Sequence, residues 1–570
     1  MSFAAELRSG AASRRYVTGA AFMLAIGLLT VTPIIYVLIY SFDVAAVGKP
    51  YQFGINGWIE IFANPKTWSS IVYSFILAIR TPLATLVGFG IAWLLVRANI
   101  PGSRNLELAF WFTFLLPSLP LLLGWTLLLD SNYGLINLAL MKLPFIDGAI
   151  FSIYSVGGII WVHMAMTTVP IMVILLSPSL RQLDLSYEEV AEMSGAGVLT
   201  KLKRVTIPLV LPAIATSFIL SLIRSLEAFE VERVLGTPAN INVYSTRIYD
   251  FISLEPPQFS QAMALSCLFL VILLALAIVY QLYLERSGDH AVVTGRGVRT
   301  ENTQRAAWHY VASILLWIYL AITLVMPLVI LVLGSLTKLF GFFFIADPWT
   351  LSHWKAVFVD PRFLRSAMTS MTLGLTVGLI GILVFSLIAW LLVRTSIAGR
   401  RIVSIMVWLP WAIPGLVLGV TLLSLILETP GLSMLYGTVV PLLMALIIKE
   451  LPIGVQMLRT AVGQVSGQLE EAAVMAGADF KTIFQRITLP LIAPMLVSVF
   501  LLVFAGTLRD IGTVVLIATP GTQTMALLMF DFAVSGQLES AAVIGVIVAI
   551  LCVGVTIASL RIGKGVGIRG

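Results

Sequence analysis

The stretch Glu471-Ala472-Ala473, with Gly477 after three more residues and Ile487-Thr488-Leu489-Pro490 after a further nine, lies between apolar runs. An earlier copy reads Glu189-Val190-Ala191, Gly195 and Val205-Thr206-Ile207-Pro208, separated from the later one by 282 residues (471 − 189). That is about half of a 570-residue chain. A second landmark, Ile91-Ala92-Trp93-Leu94-Leu95-Val96-Arg97, returns as Ile388-Ala389-Trp390-Leu391-Leu392-Val393-Arg394 at an offset of 297 (388 − 91). The sequence is therefore a tandem repeat whose first half carries about fifteen extra residues (297 − 282) between the two landmarks.

Composition sets the solvent. Hydrophobic residues make up 59% and charged residues 11% of the chain, and the mean hydropathy is +1.00. So much apolar surface cannot be hidden in an aqueous core and requires lipid. The excess of 35 Lys and Arg over 28 Asp and Glu sits in short loops rather than in a dense patch, so nucleic acid is not an expected partner. Cys267 and Cys552 both lie inside apolar runs and read as small core residues, with neither a disulfide framework nor a metal site expected.

Twelve runs approach the roughly 20 apolar residues that cross a bilayer as helix. They are Tyr16 to Tyr40, Trp68 to Val96, Leu106 to Leu129, Val156 to Leu176, Leu209 to Phe229 and Ala262 to Tyr283, then Trp308 to Leu333, Ala367 to Val393, Ile402 to Leu427, Tyr436 to Leu458, Leu489 to Leu508 and Ala541 to Leu560. The expected fold is an all-α polytopic membrane protein of two six-helix repeats: residues 1–284, a cytoplasmic linker over 285–307, and residues 308–570. The first run is too long for a signal-peptide core and reads as an uncleaved anchor. Alternate loops carry the basic residues, among them Arg8, Arg14, Arg15, Arg97, Arg104, Lys201, Lys203, Arg204, Arg394, Arg400, Arg401, Lys481, Arg486, Arg561, Lys564 and Arg569. By the rule that such loops stay inside, both termini and both motif copies are cytoplasmic. Lys355, Arg362 and Arg365 then fall outside, offset in part by Asp347 and Asp360. An even number of spans per half gives the copies one orientation and allows an axis along the membrane normal.

Read as helix, Val198, Leu202 and Val205, and likewise Phe480, Phe484 and Ile487, form an apolar stripe on a short helix that wants a groove. Gly195 and Gly477 permit a sharp turn before it, and Pro208, Pro212, Pro490 and Pro494 mark re-entry into the bilayer. The plainer reading lays both stripes on the membrane surface and has Glu189 close a capping box with Ser186. That box has no counterpart at Glu471, where Gln468 stands at the upstream position.

These residues resemble the EAA loop of ABC importer permeases, "EAA, three, G, nine, I, x, LP". The second copy fits throughout, while the first has Val190, Val205 and Ile207 in place of Ala, Ile and Leu. The resemblance implies a type I ABC importer permease with both halves fused. It implies that the loops 185–208 and 467–490 insert into two copies of a cytoplasmic ABC ATPase through Glu189, Ala191, Gly195, Leu202, Pro208, Glu471, Ala472, Ala473, Gly477, Phe484 and Pro490. ATP would be bound by those partners, with no cofactor in this chain, and a periplasmic or extracellular binding protein would deliver the solute. The location implied is a bacterial cytoplasmic (inner) membrane.

Ionisable residues in or near the spans are candidates for the pathway or its gate: Arg80, Arg224, Glu227, Glu230, Lys449, Glu450, Arg509 and Asp510. The motif offset sets Arg509 opposite Glu227 (509 − 282), so these two would pair as an external gate if the fifth and eleventh spans face each other across the pseudo-twofold axis. The alternative leaves Glu227, Glu230, Arg509 and Asp510 solvated at the membrane edge. His163 reads as a hydrogen-bonded packing residue. No HExxH, nucleophile elbow, Walker A loop or paired-carboxylate site is present, so the chain is expected to be a transport subunit and no enzyme. Among fused permeases of this type, Phe229-Glu230-Val231 followed by Gly236-Thr237-Pro238 resembles the ferric-iron importers, with thiamine and 2-aminoethylphosphonate importers as near relatives. Sulfate, molybdate and polyamine permeases usually come as separate chains. An ion-driven secondary transporter is the competing class, but Glu227 and Glu450 supply few carboxylates for it.

Overall fold

The computed structural model describes residues 21–45, 49–98, 100–184, 186–286, 306–395 and 399–565. The N-terminal arginines, most of the linker over 285–307, Arg569 and the side chains of Phe480 and Lys481 lie outside the described residues.

Each of the twelve apolar runs has a helical counterpart. Eight are continuous: Pro65–Val96, Val156–Gln182, Val198–Leu226, Phe259–Val279, Ala307–Gly334, Pro361–Arg394, Val440–Gln464 and Leu538–Ala558. Four are bent pairs rather than straight spans. The third, Ser103–Leu115 with Ser118–Leu129, turns by 99°, and the ninth, Arg400–Ala412 with Gly415–Glu428, by 102°. Both breaks fall at a proline, Pro117 and Pro414, spaced by the same 297 residues (414 − 117) as the first landmark. A proline ring pushes the preceding residue out of the helical region, and Leu116 at ψ 147° and Ile413 at ψ 114° are extended accordingly. The first span bends by 48° and the eleventh by 71°.

Prolines shape other helical segments differently. Wide π turns occupy Met164–Thr168, Leu202–Thr206, Glu232–Gly236, Ala321–Val325 and Phe484–Thr488, and each ends two residues before a proline. Proline lacks the N–H and its ring collides with the carbonyl four residues back. One extra residue in the preceding turn moves that carbonyl aside. In each of the two motif copies the residue before the proline donates five residues back, Ile207 to Leu202 and Leu489 to Phe484.

The halves are interlocked. The seventh span lies along the second limb of the third, Ser118–Leu129, where the backbones approach so closely that a Cβ on Gly124 would stand 2.2 Å from the Pro327 carbonyl oxygen. Reciprocally, the first span packs on the second limb of the ninth, Gly415–Glu428, with Tyr36 donating to Glu428 at 2.8 Å. In the region after the seventh span, Lys338 pairs with Asp347 at 2.6 Å and Arg362 with Asp360 at 2.8 Å, so Asp360 offsets one of the three basic residues named above by direct contact, and Asp347 offsets Lys338.

Candidate functional site

Each motif copy is a helical hairpin. Ser186–Met193 is followed by Val198–Lys201, and Gly467–Met475 by Phe480–Ile483. The turns are left-handed at Gly195 (φ +81°) and Gly477 (φ +83°). Ala196 N donates to Ala191 O at 3.0 Å and Ala478 N to Ala473 O at 2.9 Å, the wide bond of a glycine C-cap. No atom lies within 4 Å of a Cβ built on either glycine, so backbone conformation and not space requires them. Asp184 accepts from Ser186 N at 2.9 Å and supplies the start of the first hairpin.

The glutamates of the two copies do unequal work. Glu189 and Glu471 are exposed. Their preceding neighbours turn inward instead: Glu188 accepts from Thr206 Oγ1 at 2.6 Å, and Glu470 from Thr488 Oγ1 at 2.8 Å and Trp390 Nε1 at 3.3 Å. Arg394 Nε stands 3.3 Å from Glu470, and Arg97 Nε 3.9 Å from Glu188. These arginines end the repeated landmark, so the two repeated segments meet in space in each half.

The expected apolar stripe divides. Val198 is 56% exposed, but Leu202 packs against the first-half core and Phe484 against Trp390, with ring centroids 6.2 Å apart. Leu202 and Phe484, both expected to couple, are thus half-buried and turn part of their surface to neighbouring spans. Exposed apolar side chains gather at the tips instead. Met193 is 88% and Met475 89% exposed, at equivalent positions (475 − 282).

Seven of the eight ionisable candidates come together. Lys449 pairs with Asp510, which also accepts from Thr513 N at 2.9 Å. Glu230 takes a hydrogen bond from Ser118 at the break of the third span and lies within electrostatic reach of Asp510, Lys449 and Arg509. Glu450 sits against Gly506, whose Cβ would meet its carboxylate at 2.7 Å, and feels the same three groups and Arg224. The expected Glu227 to Arg509 pair is absent. Glu227 faces Arg224 at 3.8 Å, and Arg509 donates to the Phe114 carbonyl at 2.7 Å with its guanidinium 5.5 Å from that ring's centroid. The break at Pro117 frees the last carbonyls of the helix before it, and a guanidinium satisfies one of them.

Arg80 is the eighth candidate and belongs elsewhere. It is 1% exposed, with Nη1 3.0 Å from Glu232 Oε1 and Nη2 2.7 Å from the Ser225 carbonyl, and His163 Nε2 is 2.9 Å from the same carboxylate oxygen. A fully engaged buried arginine lines no channel, so its expected pathway role is corrected to a brace, and His163 is the hydrogen-bonded packing residue expected. Glu232 escaped the sequence reading because it follows the fifth apolar run, where a carboxylate looks solvated. Among the described residues, no three His, Cys, Asp or Glu side chains form a metal site.

Residues 84–287 and 378–566 each match the family described as binding-protein-dependent transport system inner membrane component. The chain belongs to that family, as a multi-pass inner-membrane permease of the ABC importer class carrying the family unit twice. It is 23% identical over 408 residues to a ferric transport system permease protein of Actinobacillus pleuropneumoniae, covering 70% of this chain and 57% of that one. A probable ABC transporter permease protein of Sinorhizobium fredii is 25% identical over 490 residues, covering 84% of this chain and 83% of its own. A sulfate transport system permease protein of Synechocystis is 31% identical over 213 residues, covering 35% of this chain and 70% of its own. The chain thus spans just over half the length of the ferric relative.

Proposed function

We propose that this chain forms the translocation pathway of an iron(III) importer, driven by two ABC ATPase subunits that dock at 185–208 and 467–490 and fed by an extracytoplasmic binding protein. The observation that carries the reading is the pair of equivalent hairpins, each offering an exposed methionine tip and an outward glutamate, Glu189 or Glu471, on one end of the bundle. Ala191, Ala472 and Ala473 keep the first hairpin helix slim, and Pro208 and Pro490 begin the span behind it. Both termini and both loops are cytoplasmic in this reading.

Nucleotide closes the ATPases and moves the hairpins, and a shift follows only because the two states hold them differently. The seven-charge nest around Asp510 is the constriction that separates the two open states. Its opposed charges satisfy one another when closed and become available to a passing polar solute when the halves part. Iron(III) is favoured by the segment Phe229 to Pro238 and by the ferric relative. The Synechocystis relative makes sulfate the second reading, ahead of thiamine and 2-aminoethylphosphonate.

The test is uptake and ATP hydrolysis in proteoliposomes holding the chain, its ATPase and its binding protein, with iron(III), sulfate, thiamine and 2-aminoethylphosphonate offered separately. Stimulation by iron(III) alone is expected. Stimulation by another solute reassigns the substrate, and uptake without the ATPase refutes the importer reading.

A further inference from the structure

The repeated landmark at Arg97 and Arg394 has no part in the docking surface, yet in both halves it reaches the hairpin. Arg394 donates to the Val462 carbonyl at 2.9 Å and to the Val465 carbonyl, the free end of the tenth span, and lies 3.3 Å from Glu470. Glu470 in turn holds Thr488, where the eleventh span begins. Arg97 donates to the Leu183 carbonyl at 2.8 Å at the end of the fourth span and faces Glu188, which holds Thr206 at the start of the fifth.

The correspondence is position for position. Leu183, Glu188 and Thr206 map onto Val465, Glu470 and Thr488 at 282 residues, whereas Arg97 maps onto Arg394 at 297. About fifteen residues (297 − 282) of intervening chain differ, yet the same four groups converge. A coincidental cap would not survive that change of register. Chemically, one planar guanidinium satisfies carbonyls that a helix end leaves without partners and is also drawn to a carboxylate, and that carboxylate accepts from a third segment. The second knot is the closer one: the Glu470 side chain is 10% exposed and that of Glu188 17%, and Trp390 adds its indole N–H only to the former.

We propose that Arg97 and Arg394 are positioning residues that join each hairpin to the ends of three spans, so that hairpin and spans move as one lever. This deepens the proposed function and rests on the ATPase docking there. Without the guanidinium, the hairpin would follow the ATPase while the spans lagged behind it.

The test uses the full chain with its ATPase in nanodiscs and spin labels on two cysteine pairs, Tyr187→Cys with Leu469→Cys on the hairpins, away from the methionine tips, and Phe145→Cys with Met434→Cys at the other end of the bundle. All four positions are exposed, at 43%, 50%, 91% and 75%, while the native Cys267 and Cys552 are buried at 4% and 0% and stay unlabelled. In the unaltered background, trapping the ATPase with ATP and vanadate should shift both pair distances. Arg394→Met and Glu470→Gln should each keep the hairpin shift and lose more than half of the distant one. The exchange Arg394→Glu with Glu470→Arg should recover part of it, and Arg97→Met should act in the same sense but less. A wild-type distant shift in Arg394→Met and Glu470→Gln overturns the lever. So does loss of ATPase binding in Arg394→Met that the exchange fails to restore, since that marks a merely structural cap. Failure of the unaltered chain to retain the ATPase refutes the proposed function itself and is seen before any variant is made.

Discussion

Arg80 and Glu232 meet at 3.0 Å with both side chains 1% exposed, and His163 closes the group, while the equivalent positions of the other repeat hold Val377, Ala445 and Val514. One architecture thus tolerates a buried ionic brace on one side and an apolar plug on the other. Removing one partner of such a brace strands a charge, and Arg80→Met should lower stability by about 3–5 kcal/mol. The joint change Arg80→Met, His163→Leu, Glu232→Leu should recover most of that loss, because no charge is left without a partner. Thermal unfolding in detergent, followed by intrinsic tryptophan fluorescence, separates the two outcomes.

The contact between Lys449 and Asp510 makes a different prediction from the expected pairing of Glu227 with Arg509. Lys449→Asp should cut uptake by at least tenfold, and adding Asp510→Lys should restore a measurable part. Arg509→Glu should also impair uptake, but Glu227→Arg should not rescue it, since Arg509 is engaged with a carbonyl oxygen and Glu227 with Arg224. Uptake into proteoliposomes, normalised to inserted chain, reads both series.

Gly477 adopts φ +83° in open space. Replacing it by alanine should cost the hairpin about 1–2 kcal/mol through the left-handed conformation alone. The expected signature is faster amide exchange confined to residues 467–490, with the spans unchanged. Gly463→Ala, inside the tenth span and also without near neighbours, is the control and should change nothing.

Met193 and Met475 are the most protruding apolar groups on the hairpins. Met475→Asp should weaken ATPase association by about 2 kcal/mol, the scale of an interfacial anchor, and Met193→Asp should add to it. Co-purification of the ATPase in detergent, or titration on a sensor surface, measures the loss. Glu189→Lys with Glu471→Lys should abolish transport while leaving the chain inserted, and unaltered uptake would remove the docking reading.

The span count and the twofold repeat were legible because apolar run length and a twenty-position motif report directly on lipid and on symmetry. The breaks at Pro117 and Pro414 were visible as residues, yet the runs around them stay apolar, and hydropathy averages a right-angle turn into a straight span. Glu188 and Glu470 were overlooked because each stands beside a motif glutamate, and which of the two faces inward is set by threonine and arginine partners distant in sequence, not by residue type. The Glu227 and Arg509 pairing failed for a geometric reason. Equivalent residues meet only if both lie on the pseudo-axis, and here the third span's broken end intercepts the guanidinium first.

Because each half's opening span is seated on the opposite half, the bundle is held by a mutual clasp rather than by its covalent join. Two separately synthesised fragments divided between residues 286 and 306 should therefore still find each other and assemble. Fusion then secures equal numbers of two unlike halves, which matters when one supplies Glu227 and Glu230 and the other supplies Lys449 and Asp510 to a single nest.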